Sequence, residues 1–116
     1  MKLLRLEHHQ HPCPPHHELR QKNVLDSGFS NIGQVANLYV DDDRELQFVD
    51  VVTSGFLGFG KKHHLVPVEA IANEDPGSVT LKVAQQSVED SPTIVNPDAG
   101  PDDELQRTTR EHYGYS

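Results

Sequence analysis

The residues able to do chemistry are unevenly spread along the chain. His8, His9, His11, His16 and His17 surround Cys13 near its start. Imidazole and thiolate suit zinc, copper or nickel. His11, Cys13 and His16 therefore form a candidate metal set, with His8, His9 or His17 to complete four ligands. The spacing matches no zinc finger, because there is no Cys-x-x-Cys pair and Pro12, Pro14 and Pro15 stiffen the segment. A solvated arm with adventitious metal affinity is the favoured reading. His63 and His64 are neighbours on an expected strand, so they point to opposite faces and cannot chelate one ion together. One belongs in the sheet wall and the other in solvent.

The carboxylates are read in the same way. Asp41-Asp42-Asp43 lacks the glycine and distal glutamate of a calcium loop, so it is a solvated turn in which Asp41 caps the backbone. Asp50 interrupts an apolar strand, and is expected to face water at a bulge or to pair with Lys61 or Lys62. The loop Gly55-Phe56-Leu57-Gly58-Phe59-Gly60 lacks the Gly-Lys-Ser/Thr ending of a phosphate loop, and a strand rather than a helix follows it. Its glycines permit a tight turn that throws apolar side chains outward. Phe56, Leu57, Gly58 and Phe59 are thus a candidate partner-binding site, unless Phe56 or Phe59 folds back to plug the barrel end. Ser54, Ser87 and Ser91 carry no G-x-S-x-G signature. A barrel this small rarely offers a pocket of ~300 Å³. No catalytic residue is assigned, and the chain is not expected to be an enzyme.

Three zones must position these groups. Residues 1–22 form a His/Pro-rich flexible arm, since the prolines forbid a helix there. Residues 23–96 hold nearly all the β-branched and aromatic residues, and residues 97–116 read as an acidic disordered tail. Asp102 to Arg110 has a transient helix in reach, with only Leu105 to bury. Within the middle zone the pattern predicts strands at Val24-Leu25, Ile32 to Val40, Leu46 to Thr53, His63 to Val68 and Val79 to Val83. Leu46 to Thr53 is too continuously apolar to leave one face in water, which suits a strand closing a small barrel. Asn73 to Gly77 reads as a turn. Gln85 to Asp90 forms one helical turn, ended by Pro92. Regularly spaced strands with no long helix between them favour a barrel or sandwich.

The 116 residues fit one domain, and 18 acidic against 10 basic side chains give a formal charge of −8. Nucleic acid is thereby disfavoured, because phosphate contacts need clustered Lys and Arg. A basic protein surface is the better match. The single cysteine excludes an internal disulfide and points to a reducing compartment. No apolar run approaches the ~20 residues of a membrane span, and the first six residues are too short for a signal peptide. The expected location is the cytoplasm.

Three stretches then occur in a telling order. Ile32-Gly33-Gln34-Val35 leads into Leu38-Tyr39-Val40-Asp41. The loop Gly55 to Lys61 follows an apolar strand, and Leu65-Val66-Pro67-Val68-Glu69-Ala70-Ile71 comes next. This order resembles the PRC-barrel family, which includes the cytoplasmic barrel of the photosynthetic reaction centre H subunit and the second domain of a ribosome maturation factor. The likeness covers about Asn23 to Val95. It implies a mainly β, roughly six-stranded barrel with one short C-terminal helical turn and flexible tails, docking on other macromolecules. The chain lacks the membrane helix of the first relative and the preceding domain of the second, so neither role transfers, and the stand-alone members are the nearest likeness. The expectation is a non-catalytic protein–protein docking or assembly module, through a protein partner or self-association. Peripheral contact with a membrane complex is one form of it. A metal-responsive protein working through the arm is the alternative. No cofactor is expected, zinc on the arm being the one candidate.

Overall fold

The β-branched and aromatic stretches form strands of a single sheet in the computed structural model, which describes residues 1–7, 9–12, 18–54 and 61–115. Seven strands lie among the described residues: β1 (Leu4–Arg5), β2 (Asn23–Leu25), β3 (Asn31–Val40), β4 (Leu46–Ser54), β5 (Lys61–Pro67), β6 (Ile71–Glu74) and β7 (Ser78–Leu81). A 3-10 turn, Val68–Ala70, joins β5 to β6. Two helices follow, α1 (Gln85–Glu89) and α2 (Asp103–His112). The strand order is β5-β4-β3-β2-β7-β6. The short β1 pairs with the end of β3, Leu4 opposite Val40. All pairs are antiparallel except β2 with β7.

The fold is mainly β and barrel-like, but β5 and β6 do not pair, so the sheet is open. The chain's own C-terminal part supplies the reason. Ile94 N–H donates to the His63 carbonyl at 2.8 Å, and Thr93 bridges His64. The outer edge of β5 is therefore partly taken before β6 could reach it.

Both faces of the central strands are covered. Val35, Leu38, Val40, Val49, Val51 and Val66 belong to the larger core inside the curl. Tyr39, Phe48 and Leu65 point the other way and pack with Leu3 and Ile94, with half-buried Leu105 against them. This explains the nearly continuous apolar run in β4, interrupted by Asp50, where Phe48, Val49, Asp50 and Val51 are all buried. It also alters the reading of β3. Alternation predicts one buried face, whereas Leu38, Tyr39 and Val40 are all buried, and the register shifts between Val35 and Asn37.

Both cores draw on segments expected to lie outside the barrel, Leu6 and Leu19 in the larger one and Leu3 in the second. Leu3, Leu6 and Leu19 of the arm are buried. Arg20 clasps the arm by donating to the carbonyls of Glu7 at 2.9 Å and Gln10, while its Nε donates to Glu18 at 2.7 Å. The segment expected as a disordered tail holds α2. Asp102 caps this helix by accepting from Leu105 N–H at 2.8 Å. Asp103 and Glu104 in the first turn, with Arg110 and His112 in the last, suit the helix dipole. Gln106 and Thr109 are buried. Residues Ile71 to Glu74 form a strand where a turn was expected from Asn73, because Glu74 pairs with Val79.

Candidate docking surface and the buried polar cluster

The β4–β5 hairpin runs through seven consecutive cross-strand pairs, from Phe48 opposite Pro67 to Ser54 opposite Lys61, with no register shift. The loop carrying Phe56, Leu57, Gly58 and Phe59 joins its two ends and lies outside the described residues. Pro67 closes β5 where the turn begins, a position that suits a residue without a backbone donor. Phe29 is 73% exposed with φ of 67°, at the turn between β2 and β3.

Asp50 sits at the middle of this hairpin and is fully buried. It neither faces water nor pairs with a lysine. Asn37 Nδ2 donates to its Oδ2 at 2.9 Å, and His63 Nδ1 lies 2.8 Å from Oδ2 and 3.1 Å from Oδ1. An ionised carboxylate only accepts, so Nδ1 carries the hydrogen and Nε2 is the nitrogen left for other partners. The cause is register. Asp50 lies opposite Asn37 on one side and Leu65 on the other, with His63 two residues from Leu65 on the same face. The His63 side chain keeps 30% of its exposure. Tyr39 on this face is buried and donates its hydroxyl to the Pro97 carbonyl at 2.7 Å. Burial, with Asp50 as a smaller cause, pushes its phenol well above the usual range.

His64 faces the inner core, as adjacency to His63 requires. It is buried, with Nδ1 3.2 Å from Ser91 Oγ and 3.3 Å from the Ser91 carbonyl. Burial holds its pKa below the ordinary imidazole value. Three carboxylates are held below their ordinary range as well. Glu18 is lowered chiefly by the Arg20 side chain. Asp26 is lowered by the N–H groups of Ser30, Gln85 and Gly28. Glu69, from the Val-Pro-Val-Glu-Ala-Ile stretch, is lowered by Arg110 of α2, which grips both its oxygens.

The shifts of His64, Glu18, Asp26 and Glu69 share one sign. Each group binds its proton less readily in the folded chain than in the unfolded chain, so stability falls as pH falls. The urea midpoint is expected to begin dropping below about pH 6.5, where unfolded histidine protonates, and to drop further below about pH 4 as the carboxylates follow. His64→Gln should remove the first stage only. An unchanged profile in that variant between about pH 6.5 and 5 would contradict the assignment to His64.

The remaining candidates fall as follows. His11 is exposed, its Nδ1 3.6 Å from Glu18, while Cys13 and His16 lie outside the described residues. No group of three or more His, Cys, Asp or Glu side chains able to hold a metal occurs among the described residues. Asp41 caps its turn, accepting from Asp43 N–H at 2.9 Å and Glu45 N–H at 3.0 Å. Surface grooves of about 340 to 590 Å³ are larger than expected for so small a barrel. One, of about 420 Å³, is lined by Asn23, Asn31, Gln34, Val52, Lys61 and Gln85. Its carboxamides and single lysine can bind polar groups. The buried cluster was missed by sequence reasoning, although Asp50 in an apolar strand was the signal for it: a buried carboxylate requires a partner.

No helix among the described residues is long and apolar enough to cross a membrane. No curated protein matches the chain. The model of the PRC-barrel domain family matches residues 15–87, which takes in β2 through β7 and the loop between β4 and β5. That match spans more than half of the sequence, and the sheet has the mainly β architecture the likeness implies, so the chain belongs to the PRC-barrel domain family.

Proposed function

We propose that the chain is a non-catalytic docking module, which meets a protein partner through the loop between β4 and β5. The observation carrying this reading is the hairpin beneath that loop. Its seven pairs are unbroken, and the Asp50–His63 contact braces it from within the sheet face. A rigid stem ending in Phe56, Leu57 and Phe59 is suited to presenting apolar side chains at low entropic cost. Lys61 and Lys62 follow the loop and are exposed, while the chain's charge of −8 steers it towards basic surfaces. Self-association through the same loop is a sub-case. So is contact with the exposed part of a membrane complex from the cytoplasm.

The test uses the intact protein and Leu57→Asp as paired baits, with circular dichroism and thermal unfolding to establish that both are folded. Capture of a defined partner is expected to fall at least about tenfold in the variant, the size of effect typical when a central apolar contact is lost. Sedimentation velocity on both proteins covers self-association. Equal capture and equal sedimentation by a folded Leu57→Asp protein would refute the loop's role.

A further inference from the structure

Helix α2 is poorly matched to the place it occupies. Among its ten residues only Leu105 is apolar, yet it lies on the outer-face cluster of Leu3, Tyr39, Phe48, Leu65 and Ile94. Thr109 is fully buried, and its hydroxyl has no hydrogen-bond partner. The neighbouring Thr108 satisfies its own hydroxyl on the Glu104 and Leu105 carbonyls, at 3.0 and 3.2 Å. An unpaired hydroxyl in a buried seat opposes docking. Helices shorter than ~12–15 residues are marginal by themselves, so α2 depends on this seat for its order.

Besides the packing of Tyr113 and Tyr115 just beyond it against the larger core, what holds it there is polar. Arg110 grips Glu69, Gln106 Nε2 donates to the Met1 and Pro101 carbonyls at 2.6 and 2.8 Å, and His112 Nε2 meets the Ser87 carbonyl at 2.7 Å. The connector before the helix exposes Val95 almost completely and Asn96, Asp98 and Ala99 as well.

We infer that α2 is a displaceable cover, and that its seat on the outer face of the sheet receives an amphipathic helix from a protein partner. The fitting helix has apolar side chains at the two positions, four residues apart, that Leu105 and Thr109 fill, and a cation one residue further on for Glu69. Such a helix keeps the clasp and removes the unpaired hydroxyl. This is helix-in-groove recognition, on a surface separate from the loop considered above. The partner must compete with a tethered helix, whose effective concentration is high, so opening of α2 controls the apparent affinity.

The probe is a fluorescein-labelled synthetic peptide spanning 102–115 with Thr109→Leu, titrated by fluorescence polarisation into three full-length chains. Arg110→Ala, which frees the clasp, should bind most tightly. Wild type should bind more weakly. Thr109→Val, a near-isostere that removes the unpaired hydroxyl and seats the chain's own helix better, should bind weakest, at least tenfold below Arg110→Ala. Hydrogen exchange supplies a second reading: α2 amides should exchange faster than those of β3 and β4 in wild type, and slow down in Thr109→Val. No binding to any chain, equal affinity for all three, or α2 amides as protected as β4 would overturn the inference. Leu57→Asp should leave peptide binding unchanged. Loss of peptide binding in that variant would place the peptide on the loop and overturn the assignment to this seat, whereas loss of a native partner alone bears on the loop.

Discussion

Asp50→Ala is expected to lower the unfolding free energy by at least about 1–3 kcal/mol, the cost of leaving a buried donor without its acceptor. Three effects combine. Asn37 Nδ2 and His63 Nδ1 both lose their acceptor, and the removed atoms leave a void between β3 and β5 in a fully buried position. Removing the whole cluster should hurt less than removing its centre. The triple variant Asn37→Leu, Asp50→Leu and His63→Leu leaves no orphaned donor, and replacement of buried polar groups by apolar ones is often near neutral. Asp50→Asn should fall between, because its new N–H₂ group must face one of two existing donors. Urea unfolding of the four proteins at neutral pH checks the order. A midpoint for Asp50→Ala within error of wild type would show that the pairing contributes nothing to stability.

Gly33→Ala should destabilise by at least the ~1–3 kcal/mol typical of overpacking. A Cβ at position 33 would lie 2.1 Å from the Val52 carbonyl oxygen and 3.0 Å from its carbon. The obstacle is backbone, so no side-chain rotation relieves it, and β3 and β4 must move apart where Gln34 pairs with Val52. Gly77→Ala is the matched control. Nothing lies within 4 Å of its added methyl and its φ is not left-handed, so the change should be neutral or stabilising by up to ~1 kcal/mol through the unfolded chain. Chemical denaturation of both variants, with the amides of Gln34 and Val52 followed by hydrogen exchange, separates a local opening from a global loss. Equal stability of the two variants would contradict the close approach of β3 to β4.

The two expected effects differ in how much of them is readable in advance. Gly33 stands in the Ile32-Gly33-Gln34-Val35 stretch that carries the family likeness, but glycine in a strand signals only a bulge or a close approach. Which backbone approaches is a matter of register with Val52. The glutamate of Val-Pro-Val-Glu-Ala-Ile is likewise visible as a motif residue. That it receives Arg110, 41 residues later, follows from where α2 lies.

Local patterning by itself determined the mainly β class, the places of β3, β4 and β5, the capping role of Asp41 and the opposed faces of His63 and His64. Each of these rests on side chains a few residues apart, where period and turn chemistry act directly. The helix at 103–112 was half legible: a transient helix was in reach over Asp102 to Arg110 with Leu105 its single anchor, but its nine polar residues cannot disclose what they cover. Only the tertiary structure decided that the arm and the last helix close the outer face of the sheet, that Asp50 is buried there with Asn37 and His63, and that β5 and β6 stay apart. Those outcomes depend on segments distant in sequence, Leu3 with Tyr39 and Ile94 above all. The free energy of such burial arises from surfaces that meet only when the whole chain has folded, so no local pattern records it.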